Sequence, residues 1–313
     1  MQTAHAILVA ALAALTFWCI AFALVSPLIK ARHGTAAMFI ECLPFNNVVA
    51  TGVATINFAN LLGYTVEFIL LELGGGALTK AMLTDIDLKA NAKTIFKNSG
   101  ARQDDQMEYR GETASAAYLV LPFDESRGRT ELRNGSVIDG EKVGSIDTTF
   151  GIQSLTGEVT ITGATTPTLK AYAEVSAAPF GDERFRPLIA KTHNFTVSPA
   201  AAGTFLFDVP QGRAKGSVIK RIFLHGSTVT GYEVKKNGIT VQKVTSAALN
   251  TYQQQREGRV PQANVQAIDF IKDGNQSSSL VAADANSLEY YMTVSGAGNV
   301  VVVVEFYDLL NNN

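Results

Sequence analysis

The chain has 313 residues, 47% of them hydrophobic and 17% charged: enough apolar material for a large buried core, too little charge for a disordered chain. A net charge of −2 leaves no cationic excess for broad neutralisation of a phosphate backbone, which excludes a protein built around that affinity. Two cysteines, Cys19 and Cys42, and four scattered histidines, His5, His33, His193 and His225, exclude a disulfide scaffold and a Cys-rich zinc site.

Ala6–Ile29 runs 24 residues without a charge. As a helix it reaches ~36 Å at ~1.5 Å per residue, enough to cross a hydrocarbon core of ~30 Å. The residues expected to contact lipid are Ile7, Leu8, Leu12, Phe17, Trp18, Ile20, Phe22 and Leu24, with Lys30 and Arg32 as the basic flank. By the positive-inside rule that flank puts the rest of the chain on the cytoplasmic side. The leading MQTAH has no Lys or Arg, no clear A-x-A site follows, and the run exceeds the ~7–15 residues of a signal-peptide core. A retained anchor is therefore favoured over a cleaved signal. A true start at Met38 is the third reading and removes the segment altogether.

After residue 37 the helical pattern gives way to extended runs bounded by Gly, Asn, Asp and Pro. Strands are expected at Val53–Phe58, Thr65–Leu73, Ala81–Leu88, Ala116–Leu121, Ser145–Leu155, Gly157–Ile161 and Thr168–Val175. A second series follows at Thr204–Val209, Val218–Gly226, Thr230–Lys235, Ala267–Ile271, Leu288–Ser295 and Asn299–Tyr307. Asn91–Phe96 and Ser246–Gln255 are the best helix candidates. Asn134-Gly135 and Asn237-Gly238 are the dipeptides that type I′ hairpin turns favour. Val300–Phe306 (VVVVVEF) opens without alternation, so it reads as a strand buried on both faces in the middle of a sheet.

The order of elements repeats. TVEFILLEL, a turn, a second strand, a polar helix-like stretch, a charged loop (Arg102–Glu112) and AAYLVL find their counterparts in VIKRIFLH, YEVKKNGITV, SAALNTYQQQ, the loop Arg256–Pro261 and VQAIDFI. The expected organisation is a membrane-associated helix at 1–37, a first sandwich at 38–176, a connector at 177–193 and a second sandwich at 194–313. Each half has a normal size for an antiparallel sandwich.

No catalytic motif stands out. Walker A, H-E-x-x-H, C-x-x-C and G-x-S-x-G are all missing. Gly296-Ala297-Gly298 lacks the third glycine of a dinucleotide fingerprint and reads as a hairpin turn. Asp85-Ile86-Asp87 opens like a calcium loop but lies in a strand-like run without the required glycine. Glu67 with Glu72, or Asp269 with Asp273, would suit glycoside hydrolysis only if they converged, which nothing in the sequence requires. Asp104-Asp105 and Arg127, Arg129 and Arg133 read as solvated loop charges. Sequons at Asn134, Asn194 and Asn275 matter only in a glycosylating host.

The segments LPFNNVVATGVATINFANLLGYTVEFILLEL, VIKRIFLHGSTVTGYEVKKNGITV, VQAIDFIKDGN and VVVVVEFYDLL, with Arg259-Val260-Pro261, resemble the double jelly-roll major capsid proteins of tailless, membrane-containing icosahedral bacteriophages of the corticovirus type. The resemblance covers about Leu43 to Leu310. It implies two tandem antiparallel eight-stranded jelly rolls behind the hydrophobic helix and no enzymatic activity. It implies homotrimers, each filling a pseudo-hexameric site of a shell around a lipid membrane. The partners would be neighbouring capsomers, penton and minor capsid proteins and lipid, with no direct nucleic-acid contact. No cofactor is expected; the resemblance admits structural calcium between subunits, but no ligand set follows from it. The Ala6–Ile29 run departs from the resemblance, being longer and more hydrophobic than the short arm typical there. The competing reading is a membrane-tethered β-sandwich adhesin or carbohydrate-binding protein, which would gather Tyr232, Tyr252, Tyr290 and Tyr291 around one groove.

Overall fold

The computed structural model describes residues 37–75, 77–125, 129–131, 137–139, 143–177, 188–214 and 216–312. The first half supplies β1 (Met38–Glu41), β2 (Gly52–Asn57), β3 (Tyr64–Gly74), β4 (Leu83–Ala90), β5 (Lys93–Asn98), helix α1 (Gly100–Tyr109) and β6 (Tyr118–Pro122). It continues with the short β7 (Arg129–Glu131), β8 (Val137–Asp139) and β9 (Ile146–Asp147), then β10 (Leu155–Ile161) and β11 (Thr168–Ala177). The second half supplies β12 (Leu188–Val197), β13 (Gly203–Phe207), β14 (Val218–His225), β15 (Val229–Lys236), β16 (Ile239–Val244), helix α2 (Ala247–Arg256), β17 (Val265–Asp269), β18 (Leu288–Val294) and β19 (Val300–Leu309).

Leaving aside the inserted β7, β8 and β9, each half pairs its strands in one pattern. The first, eighth, third and sixth strands form one sheet: β1-β11-β3-β6 in the first half, β12-β19-β14-β17 in the second. The second, seventh, fourth and fifth form the other: β2-β10-β4-β5 and β13-β18-β15-β16. That wrapping is the jelly roll, and each roll carries its helix between the fifth and sixth strands. Both helices are capped by a serine, Ser99 accepting from Arg102 N and Ser246 from Leu249 N. Both are pinned by an amide four residues on. Gln103 Nε2 donates to Val120 O on β6, and Asn250 Nδ2 donates to Gln266 Oε1 on β17.

Alternation builds the cores. Val66, Ile69, Leu71, Ile86, Leu88, Val159 and Ala171 close the first; Ile222, Leu224, Tyr290, Met292, Val302 and Val304 close the second. The rolls then fuse side by side. β5 pairs parallel with β12 at Phe96 and Thr192, so the inner sheet of the first roll runs into a sheet of the second and makes eight strands in all. β19 lies between β12 and β14 in that sheet, so the expectation of a central strand buried on both faces holds. Asn237 and Gly238 turn with φ of 52° and 77° between β15 and β16, as a type I′ hairpin requires. β7 and β8 pair around Asn134-Gly135, which lies outside the described residues.

Gly144 marks how closely the rolls meet. It has φ 98°, bridges to Ile189 of β12, and a Cβ there would stand 2.5 Å from Tyr307 Cε1 and 2.9 Å from Phe123 O. Gly144→Ala is expected to cost about 2–4 kcal/mol, from the left-handed backbone and the wedge together, as read by the denaturation midpoint.

Several expectations need correction. Asn91–Phe96 is not helical: Asn91 and Ala92 turn with φ of 49° and 63°, and the chain then enters β5. The helix of the first half is α1, which takes up most of the stretch Arg102–Glu112 expected to be a charged loop. Its buried side is Gln103, Gln106, Met107 and Tyr109, so amides replace the apolar residues that would have shown a helical period. Ser145–Leu155 is not one strand. Thr148 Oγ1 accepts from Gly63 N at 2.8 Å and Tyr64 N at 3.1 Å, which ends pairing after β9 until β10 begins. β17 ends at Asp269, whose carboxylate accepts from Ile271 N and so draws the chain into a turn. The connector expected at 177–193 is strand from Leu188 onward, because β12 pairs with β19 along its whole length. Residues 178–187 lie outside the described residues.

One end of the body gathers its loose ends. β12 starts beside the end of β19, with Leu188 opposite Leu309, and Lys93 donates to Asn311 O. The loop at 148–154 ties that end to the start of β3: Thr148 bonds Tyr64, while Ser154 O accepts from Asn91 N. Tyr64 lies opposite Ala177, and Met38 opposite Val175. The chain thus enters at Met38 and reaches Asn312 at the same end. Both helices lie toward the other.

Candidate functional site

Arg221 on β14 is fully buried, and its guanidinium organises the joint between the rolls. Nη2 reaches Glu125 Oε1 at 2.5 Å, Nη1 reaches Glu305 Oε2 at 3.1 Å, and Nε lies 3.1 Å from Asp269 Oδ2. Arg110, at the end of α1, bonds Glu305 Oε1 at 2.7 Å, and Lys220 lies 3.5 Å from Glu125. Arg259 stands 3.5 Å from Asp269, and Tyr109 donates to the same carboxylate at 3.1 Å. Arg110, Tyr109 and Glu125 come from the first roll; Lys220, Arg221, Arg259, Asp269 and Glu305 come from the second.

Burial and charge oppose each other here. Burial alone would raise the Glu125 carboxyl, but Arg221, Arg110 and Lys220 outweigh it and hold it well below the usual range. Glu305 is lowered by the same balance. Burial pulls Arg221 down, and Asp269, Glu125 and Glu305 return it well above its ordinary value. Lys220 stays lowered, since burial beats its partners, and its ammonium packs 4.6 Å from the centre of the Tyr307 ring. An apolar patch completes the joint: Tyr109 meets Phe223 edge-on at 5.3 Å, beside Val303, Val265 and Ala267. The arrangement fixes two domains.

Beside it, Phe68, Arg110, Glu112, Val120, Pro122 and Asp124 line a cavity of about 160 Å³. Burial pushes the Asp124 carboxyl up to about 7, with Glu125 and Glu67 adding to the rise against Arg110. An acid raised on folding binds more protons folded than unfolded, so its contribution to stability falls as pH climbs from about 4 to about 7. Asp124→Asn is therefore expected to match the parent near pH 4 and to exceed it by about 1–2 kcal/mol at pH 8, discounted for partial exposure, in paired denaturation curves.

The candidates from the sequence scatter. Glu67 is buried and Glu72 half-buried, five residues apart on β3 with a register shift at Glu67 between them, and Glu72 accepts from Tyr172 Oη. Asp269 belongs to the joint, and Asp273 accepts from Asn275 N. His193 packs on Phe306, with Nε2 3.2 Å from Thr94 O, while His225 lies 3.6 Å from Asp105 on another strand. Tyr232 and Tyr290 are in the second core, Tyr291 bonds Glu289, and Tyr252 is 65% exposed on α2, so no tyrosine groove forms. Asp85 and Asp87 lie in β4, and Gly296-Ala297-Gly298 is the turn before β19. Among the described residues no group of three His, Cys, Asp or Glu side chains could hold a metal ion. None of the described helices is long and apolar enough to cross a membrane. The lipid-contact set Ile7, Leu8, Leu12, Phe17, Trp18, Ile20, Phe22 and Leu24 and the flank Lys30 and Arg32 lie outside the described residues.

The charge joint was missed from sequence. Its one local sign is the charged pair in VIKRIFLH, where Lys220 and Arg221 interrupt an otherwise apolar strand. At the end where the chain enters, a cleft of about 770 Å³ is lined by Lys93, Lys191, His193, Arg213, Phe306 and Asp308. Lys191 is spent there on Asp308, Leu309 O and Asn312 O.

Comparison with known proteins gives the fold its relatives. The major capsid protein P2 of bacteriophage PM2 superposes with a TM-score of 0.77 at 18% identity, over 89% of this chain and 99% of that one. The STIV major capsid protein follows at 0.61 and 15%, over 88% and 97%. The PBCV-1 protein VP54 gives 0.57 at 11%, over 90% and 98%. No curated protein sequence matches the chain. The viral coat protein P2 N-terminal domain family matches residues 39–176, and the viral coat protein P2 C-terminal domain family matches residues 189–310. The chain belongs to the viral coat protein P2 family, and it is a viral major capsid protein of the double jelly-roll kind.

Proposed function

We propose that three copies of this chain assemble into a trimer with six similar lobes, which fills a pseudo-hexameric site of an icosahedral shell around a lipid membrane. The observation that carries this is the buried joint at Arg221, together with the shared eight-stranded sheet. Two lobes held this firmly move as one body, and three such bodies approximate a hexagon. The protein then works by shape and contact, without turnover.

The membrane side of the proposal rests on the chain's course. The body is entered at Met38, at the end that carries the basic-lined cleft, and the apolar run Ala6–Ile29 precedes it. Assembly on the cytoplasmic face of the host membrane, with lipid beneath and neighbouring capsomers, penton and minor capsid proteins around, follows from the same reading. With a net charge of −2, the chain has no cationic excess for the genome. The test is the mass of the full chain in detergent by light scattering, followed by electron microscopy of concentrated protein on vesicles. Three chains per particle and flat hexagonal arrays are expected; a monomer at every concentration overturns the reading.

A further inference from the structure

The cleft at the end where the chain enters holds about 770 Å³, within the ~300–1,000 Å³ of small-molecule sites. Both rolls line it. Lys93 and Thr94 come from the start of β5, Lys191 and His193 from β12, Phe306 from β19, and Gln211 and Arg213 from the loop before β14. That loop is seated closely: Gly212 has φ 77°, and a Cβ there would stand 2.5 Å from Ile219 Cγ1. The contact fixes the loop by its backbone and leaves its side chains to the cleft.

The charges of the cleft do not cancel. Asp308 is fully engaged, since Lys191, Ser217 Oγ, Leu309 N and the Asn312 amide all bond its carboxylate. Lys191 is spent in turn on Asp308, Leu309 O and Asn312 O. Burial pulls His193 below its ordinary value, so its imidazole is neutral at pH 7. Arg213 pairs in the open with Asp208. That leaves Lys93, whose ammonium donates to a neutral carbonyl, Asn311 O, and meets no carboxylate among the described residues. It stands close enough to Lys191 to help lower it. One positive charge is therefore left over. A second feature asks for a donor: the side-chain oxygen of Gln211 is buried and accepts no hydrogen bond. Phe306 adds an apolar surface, met edge-on by His193 at 5.4 Å.

We propose that this cleft binds a glycerol phosphodiester, with its single negative charge on Lys93, a glycerol hydroxyl donating to Gln211 Oε1 and the glycerol carbons against Phe306. One leftover cation matches a diester; a phosphomonoester, at about −1.5 to −2, would leave charge unpaired. A headgroup ending in a quaternary ammonium brings no donor for Gln211. The same chemistry belongs to a phosphoglycerol lipid headgroup and to a soluble glycerophosphodiester. The lipid is the expected source, and that choice rests on the reading that lipid lies beneath this end.

The test titrates the full chain in nonionic detergent, by calorimetry, with short-chain phosphatidylglycerol, short-chain phosphatidylcholine, glycerophosphoglycerol and inorganic phosphate. Lys93→Gln is expected to weaken phosphatidylglycerol binding about tenfold and Gln211→Leu about threefold. Phosphatidylcholine should bind the parent about as weakly as phosphatidylglycerol binds Gln211→Leu, and Gln211→Leu should leave phosphatidylcholine unchanged. Urea midpoints without ligand check that both variants keep the folded body. Tighter binding of the lipid than of glycerophosphoglycerol assigns the site to the headgroup; equal binding assigns it to the soluble diester and takes the membrane out of it. Inorganic phosphate binding as tightly as the diesters, or affinities unmoved by Lys93→Gln, overturns the site. The readout is affinity per chain, so a monomeric mass overturns the capsid reading without touching this one.

Discussion

Arg221→Met is expected to lower the stability of the body by about 3–5 kcal/mol, because it strands buried carboxylates that share one guanidinium. Glu125, Glu305 and Asp269 all lie within 3.1 Å of that group, and its side chain has no exposure. Arg110 and Lys220 remain, but neither reaches all three. Arg221→Lys keeps the charge and loses the fork, so an intermediate cost is expected. Lys89 sets the scale for a surface pair: it bonds Glu158 at 2.8 Å in the open, and Lys89→Met should cost less than about 1 kcal/mol. Urea denaturation of the three variants decides the matter. Equal midpoints for Arg221→Met and Lys89→Met would show that the joint contributes nothing special. The same cluster sets an acid limit. Glu125 and Glu305 are held below their ordinary values, so their contribution is present above about pH 4.5 and is lost as pH falls through the folded values.

Most of the fold was legible because strand periods and turn dipeptides are local signals. The strands that were found, such as β3, β14, β18 and β19, are long runs of β-branched and aromatic residues between glycines and asparagines. What was illegible depended on tertiary partners. α1 hides its period because Gln103 and Gln106 do the work of apolar side chains by bonding Val120 O and Asn98. β5 was lost because Lys93–Asn98 is short, and its strand character comes from β4 on one side and β12 on the other. β12 resembles a connector at its start because Pro187 precedes it in the sequence and Lys191, His193 and Asn194 dilute its apolar pattern. Those three bond Asp308, Thr94 O and Lys97 O across strands the sequence cannot place.

The candidate site divides the same way. Repetition of element order along the chain carried the duplication, so the two-lobed body could be foreseen. The joint could not, since its charges lie as far apart as Arg110 and Glu305 and no local pattern pairs the charges of VIKRIFLH and VVVVVEF with each other. In the sequence Asp269 is a candidate half of a carboxylate pair; in the fold it is the partner of Arg221, Arg259 and Tyr109. A buried ionic cluster at a domain joint costs desolvation that an apolar one would not. Its return is geometric, because a guanidinium fork and three carboxylates fit in one orientation where a greasy contact could slide.

Val303→Asp and Val304→Asp are each expected to destabilise the body by more than about 4 kcal/mol, though the two side chains point to opposite faces of β19. In a sheet with one wet face, only one of two neighbouring positions would be so intolerant. Here Val304 is fully buried in the second core among Ile222, Val302 and Ile268. Val303 is fully buried on the other face, under Tyr109 and against Phe223. Val301, on the same face as Val303 but only half-buried, supplies the gradient: Val301→Asp should cost clearly less than Val303→Asp. The measurement is the midpoint of urea denaturation for the three variants. If Val303→Asp proved as mild as Val301→Asp, α1 would not be seated on β19 in solution. The joint between the rolls would then have to be held by the β5–β12 pairing and by Arg221 and its carboxylates.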